Sequence, residues 1–290
     1  MITPTKPLIV AEIGINHNGS PELLDAMVRS AAANGADFVK VQTRNLDAVY
    51  TQAELDAPRK SPWGTTNREQ KAHLELTFKE YKLLDDLCKE LNIGWFSSPW
   101  DVNSVAVLET FDCAYLKVAS AMVTNRALLQ AVGQSFLPAI LSFGGMDLPS
   151  CRAAVKHMLA ATEMAPSEKI ACIMHCNMGY PVQPEDVNLS AIYSLHAFFE
   201  GKYKVGYSSH DVSMHAPIFA IAMGAAMVEV HFTLSREMYG SDQKVSFLPE
   251  ELRNLTDARD LFCVTRGDGT KIVREFEMPA IKKLRKVNDI

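Results

Sequence analysis

The feature that most limits what this chain can fold into is one alternation, repeated eight times. Short apolar runs fall at 8–13, 38–42, 95–98, 115–118, 139–142, 170–175, 204–207 and 227–231. Each precedes a stretch with apolar residues at i, i+3, i+4 spacing, at 21–34, 77–91, 102–109, 125–132, 149–160, 190–199, 216–223 and 249–264. The runs predict strands covered on both faces, and the periodic stretches predict amphipathic helices. Ser20-Pro21 and Asp101 before Val102 supply helix-start chemistry. Eight strand–helix units predict an α/β fold of one kind, a (β/α)8 TIM barrel of roughly 250 residues. An open doubly wound sheet is the alternative, and no Gly-x-Gly-x-x-Gly turn supports it.

The barrel is expected over 1–270, with 271–290 as a basic tail rather than a separate domain. The insertion at 43–73, after the second strand, has Pro58, Pro62, Trp63 and Gly64 and little periodicity. Loops of that length are functional or disordered. A net charge of -5 gives no broad basic field, which argues against nucleic acid as a partner. No apolar run reaches the ~18 residues that span a bilayer, so no membrane association is expected. Six cysteines without a Cys-x-x-Cys pair predict free thiols and a cytoplasmic protein. Adjacent strand residues face opposite sides, so at most one of His175 and Cys176 can reach a shared site, and Cys176 is expected to be packing.

In such barrels chemistry gathers at the carboxyl ends of the strands. Here every predicted strand ends in polar residues. Glu229 and His231 share one face of the last strand, and the strand before it runs into Ser208-Ser209-His210-Asp211. Two strand ends finishing in histidine fit two ligands of one metal; two satisfied core histidines are the competing explanation. Lys40 and Gln42 share a face of the second strand, and Lys117 and Ser120 end the fourth. Two lysines in a barrel mouth need anions. Glu12 and Glu229 can serve internally; otherwise Lys40, Lys117, Ser120 and Ser142 form a clamp for phosphate and carboxylate. A metal on neutral imidazoles beside such a clamp suggests Lewis-acid activation of a carbonyl.

The segments AEIGINHNG (11–19), VKVQT (39–43), FSSPWD (96–101), YLKVAS (115–120), MHCNMGYP (174–181), VGYSSHD (205–211), VEVHFTL (228–234) and GSDQKVS (240–246) resemble the N-acetylneuraminate (sialic acid) synthase family. They occur in the family's order. The resemblance implies condensation of phosphoenolpyruvate with the open-chain aldehyde of an N-acylated hexosamine or related aldose, giving a 3-deoxy-nonulosonic acid and phosphate. It implies a divalent metal, manganese first and magnesium next, and a homodimer. His210 and His231 would hold the metal. Lys40, Lys117, Ser120, Ser142 and Ser208 would hold phosphoenolpyruvate, Glu12 would lie by the reacting carbons, and Gln42, Tyr180 and Asp242 would meet the sugar.

The chain departs from the family pattern at Met122, Phe143, Met178, Val230 and Gln243, and its Ser142-Phe-Gly-Gly-Met146 turn is one residue longer. Met122, Phe143 and Met178 are expected to crowd the mouth with apolar bulk and alter the acceptor. The family's C-terminal antifreeze-like lid is expected to be absent; the insertion with Trp63, or a partner docking on the basic tail, would replace it. Two other functions stay open: a Schiff-base aldolase using Lys40 or Lys117, and a non-catalytic binding relative.

Overall fold

The computed structural model describes residues 6–179, 181–211 and 213–285. Eight parallel strands form a closed ring: β1 (Leu8–Gly14), β2 (Phe38–Thr43), β3 (Gly94–Pro99), β4 (Leu116–Val118), β5 (Ala139–Ser142), β6 (Ile170–Cys176), β7 (Val205–Ser209) and β8 (Met227–His231). Each strand lies beside its successor, and β8 returns to β1. The outer layer is α1 (Pro21–Ala33), α2 (Phe78–Leu91), α3 (Val102–Leu108), α4 (Arg126–Gln134), α5 (Leu148–Leu159), α6 (Ala191–Phe198), α7 (His215–Ala222) and α8 (Pro249–Thr265). This is the expected TIM barrel. Elements end within one or two residues of the predicted bounds, and among the described residues no helix is long and apolar enough to cross a membrane.

Local chemistry sets the helix starts. Ser20 accepts from the Leu23 amide ahead of Pro21, and Thr77 and Glu80 form a reciprocal capping box at the start of α2. Asp101 does two tasks. One oxygen accepts from the Ser104 amide to start α3, and the other accepts the Asn45 amide at 2.7 Å, binding the β2 loop to β3.

The barrel interior is built in layers. Phe38, Phe96 and Tyr115 lie two residues before Lys40, Ser98 and Lys117 on the same faces, and their rings meet at 5.5–5.7 Å. This aromatic plug fills the barrel just below the charged layer. Gly94 admits it: a β-carbon there would lie 2.2 Å from the Phe38 ring. Lower down, fully buried Lys169 donates to the Ser135 and Leu137 carbonyls at 2.6 and 2.7 Å, holding the approach to β5 against β6.

The insertion after β2 is ordered, contrary to its weak periodicity. It contains short helices at Leu46–Val49 and Gln52–Asp56, an antiparallel ribbon of Pro58–Ser61 with Gly64–Thr66, and a helix at Asn67–Leu74. Capping boxes Thr51/Glu54 and Thr66/Glu69 start two of these helices, so local hydrogen bonding supplies what a hydrophobic stripe does not. Beyond α8, a short exposed helix covers Met278–Leu284.

Candidate active site

At the carboxyl ends of the strands lies a pocket of about 190 Å³. Glu12, Lys40, Gln42, Ser98, Trp100, Lys117, Ser120, Ser142, Cys176, Met178, Ser208, His210, Glu229 and His231 contribute to its wall. Its floor is a buried charge cluster. Lys40 Nζ lies 2.6 Å from Glu12 and 3.7 Å from Glu229, and Lys117 Nζ lies 2.7 Å from Glu229. The lysines are not on neighbouring strands: β3 separates them, and its Ser98 accepts from Lys40 at 3.1 Å. The internal carboxylates therefore do partner both lysines. The cluster can still attract an anion, because its two carboxylates differ.

Burial raises the Glu12 carboxyl to about 7, against the pull of Lys40. Burial also works against the Glu229 charge, but Lys117 and Lys40 overcome it and hold Glu229 at about 2. Burial likewise opposes the charge on Lys40, yet Glu12 and Glu229 raise it above the ordinary lysine range. When Glu12 is protonated, two ammonium groups face one carboxylate and the floor is net positive.

Hydroxyl and amide groups ring this floor. Ser208 donates to Glu229 at 3.3 Å, and Ser120 accepts the Gly144 amide at 2.9 Å. Ser142 Oγ is buried and has no hydrogen-bond partner among the described residues, a costly arrangement that a bound oxyanion would relieve. Gln42 donates to Glu12 Oε1 at 3.2 Å. Gly14 ends β1 at φ 54°, where two residues of β1 oppose one of β2 in a bulge. A β-carbon at Gly14 would lie 3.0 Å from Glu12 Oε1 and 3.2 Å from Gln42 Nε2.

The two histidines sit above, at the ends of adjacent strands, His210 just past β7 and His231 closing β8, with ring centroids 5.5 Å apart. His210 Nδ1 donates to the Asn177 carbonyl at 2.7 Å, so in the neutral tautomer the lone pair lies on Nε2. Burial opposes the charge on this ring, but Cys176 and that carbonyl raise it above the ordinary histidine value. Burial lowers His231 to about 4, with Asp242 opposing from 4.0 Å, so this ring is neutral at ordinary pH. Among the described residues no group of three or more His, Cys, Asp or Glu side chains is assembled to hold a metal ion. The donor set fits a divalent ion that takes two imidazole nitrogens and completes its shell with oxygens from water and substrate.

The structure thus brings Glu12, Lys40, Gln42, Lys117, Ser120, Ser142, Ser208, His210 and His231 to one pocket. Asp242 stands at its rim beside His231, and Tyr180 lies outside the described residues. Cys176 is a correction: alternation turns His175 outward to the Val187 carbonyl and Cys176 inward, 3.6 Å from His210 Nδ1. A second correction concerns the apolar departures. Phe143 is buried against Phe199 in the helical layer, ring centroids 6.3 Å apart, and Met122 packs on the core. Only Met178 of the three reaches the pocket. Ser98 and Trp100 are not among the expected site residues, and Glu229 is expected only as an internal partner of the lysines on the face it shares with His231.

Residues 27–271 match the model of the NeuB family. The chain is 34% identical to the N,N'-diacetyllegionaminic acid synthase of Legionella pneumophila, covering 93% of this chain and 76% of that protein. It is 31% identical to the N-acetylneuraminate-9-phosphate synthase of Mus musculus, over 96% of this chain and 76% of the relative. Its fold is similar to the crystal structure of the N-acetylneuraminic acid (sialic acid) synthetase of Leptospira borgpetersenii in complex with citrate. That likeness has a TM-score of 0.82 at 28% identity and covers 98% of this chain and 94% of the other. A match over most of the barrel, joined to relatives above 30% identity that span nearly its full length, identifies this chain as a member of the NeuB family.

Proposed function

We propose that this chain condenses phosphoenolpyruvate with the open-chain aldehyde of an N-acylated aldose, giving a 3-deoxy-2-keto sugar acid and phosphate. The observation that carries the reading is the floor of Lys40, Lys117 and serine hydroxyls beneath a pair of histidines. The lysines and Ser120, Ser142 and Ser208 bind the carboxylate and phosphate. In the reaction C3 of the enol bonds to the aldehyde carbon, the aldehyde oxygen takes a proton, water adds at C2, and phosphate departs. Glu12, raised to about 7, holds a proton at the floor and can deliver it to the developing alkoxide. Gln42 fixes that carboxyl through its amide, and Asp242 meets the sugar from the β8 loop. His210 and His231 would hold a divalent ion, manganese by preference. Such an ion would polarise the aldehyde when bound.

A Schiff-base aldolase is disfavoured. It needs a neutral lysine, and the carboxylates around Lys40 hold the proton on. The free thiols suit a cytoplasmic site of action. Phosphate release from phosphoenolpyruvate with manganese, measured across N-acetylmannosamine, its 6-phosphate and unacylated aldoses, is the test. Release that depends on an N-acylated aldose is expected, and Lys40→Met abolishes it. Release without any aldose, or none with the whole panel, overturns the reading.

A further inference from the structure

The β2 insertion reaches the mouth of the barrel through one tryptophan. Trp63 stacks on His73 with centroids 4.5 Å apart and planes 17° from parallel, and it meets the edge of Tyr239 at 5.1 Å. His73, near the end of the insertion, also bonds through Nε2 to the Asn18 carbonyl at 3.1 Å. Its backbone lies directly over Gly19, where a β-carbon would fall 2.1 Å from the His73 carbonyl oxygen. Tyr239 belongs to the loop after β8, three residues before Asp242. The same loop is fastened to the β1 loop by Asn16, which donates to the Phe232 carbonyl and to Ser246 Oγ, both at 2.9 Å. Gln243 adds a bond to the Asn16 carbonyl at 3.3 Å.

These contacts join the loops of three successive strands, β8, β1 and β2, along one side of the mouth. Those strands carry His231, Glu12, Lys40 and Gln42. The β1 and β8 loops are cross-bonded by polar side chains, whereas Trp63 carries the insertion onto the β8 loop by ring packing.

We propose that Tyr239, Trp63 and His73 form an aromatic clasp that holds the Asp242 loop against the pocket, making Trp63 a positioning residue for the aldose. The proposal rests on the aldose-condensing reading above. The clasp acts on the upper, loop-built side of the pocket, while the phosphoenolpyruvate groups sit on strands below it and are independent of it. Loss of the Trp63 rings frees Tyr239, and with it the backbone that aims Asp242. Small misplacement of a positioning group is costly in rate and binding.

Two measurements on the full chain test this. Trypsin cleavage of the unliganded protein after Arg59 or Lys60, both exposed on the ribbon beside Trp63, reads the clasp directly. Trp63→Ala should be cut at least about tenfold faster than wild type, and Trp63→Phe at nearly the wild-type rate. In the phosphate-release assay with N-acetylmannosamine, Trp63→Ala should raise KM for the sugar on the order of tenfold or more, with KM for phosphoenolpyruvate within about twofold. Gly19→Ala, which displaces His73 without touching Trp63, should repeat the pattern. Wild-type cleavage rates in Trp63→Ala, or equal rises in both KM values, overturn the proposal. If wild type releases no phosphate with any aldose, the functional reading fails, and the cleavage rates still decide the clasp.

Discussion

Glu229→Gln separates the two roles of the charged floor. In the wild type, Glu229 lies 2.7 Å from Lys117 and 3.7 Å from Lys40, and all three side chains are less than a tenth exposed. At an effective dielectric near 20, attraction at 2.7 Å is worth about 6 kcal/mol, much of which offsets the desolvation of the two ions. Removing one member of such a buried pair costs roughly 3–5 kcal/mol, because the partner charge stays behind. Here two ammonium groups stay behind. At roughly 2–4 °C per kcal/mol for a chain of this size, the unliganded variant should melt between about 6 and 20 °C below wild type. Phosphoenolpyruvate brings the missing negative charge, so saturating ligand should restore more of the melting temperature in the variant than it adds to wild type. Calorimetry should find affinity for phosphoenolpyruvate equal or tighter. Differential scanning calorimetry with and without ligand is the assay. An unliganded melt within about 2 °C of wild type, or weaker phosphoenolpyruvate binding, would refute the electrostatic reasoning.

Lys117→Met should weaken phosphoenolpyruvate binding by about 2–5 kcal/mol, since it removes a buried charged donor; unchanged affinity by isothermal titration removes Lys117 from the clamp. Alanine at both His210 and His231 should abolish manganese retention after dialysis, read by elemental analysis, and equal content in both proteins would dismiss the pair as ligands. Glu12 is raised from 4.5 to about 7, so folding favours its protonated form. That contribution is present below about pH 4.5 and is lost as pH rises to about 7. The acid form is also the proton donor, so kcat/KM should decline as pH passes about 7; the same limb persisting in Glu12→Gln would assign it elsewhere.

The barrel was legible because burial dictates it. A strand covered on both faces must be apolar on both, and the helices outside must carry a 3.6-residue stripe, so composition along the chain traces the layers. The histidine pair was legible for a related reason: alternation alone sets Glu229 and His231 on one face of β8. That Glu12 and Glu229 can serve the two lysines is legible too, but which carboxylate meets which lysine is not, because it depends on which strand faces which across the barrel. Lys117 meets Glu229, a residue far away in sequence, and only closure of the ring brings them together. Whether the insertion is functional or disordered is not decided by periodicity, because its order comes from capping. Thr51-x-x-Glu54 and Thr66-x-x-Glu69 were in plain view as capping boxes. Phe143 does not reach the mouth, because it follows the inward Ser142 and so turns outward to Phe199.

The bulge at Gly14 divides the site by what it permits to vary. Any side chain at that position must push aside the carboxyl of Glu12 or the amide of Gln42, so a residue with no functional group of its own holds the β1–β2 corner fixed. The corner faces the charged floor. Above that corner, on the same side of the mouth, the insertion and the β8 loop are held by ring packing and by hydrogen bonds between exchangeable side chains, which tolerate replacement piece by piece. Descendants of such a barrel can therefore diverge in the sugar they accept while inheriting the enol donor unchanged, because the two halves of the pocket draw on different kinds of mutation.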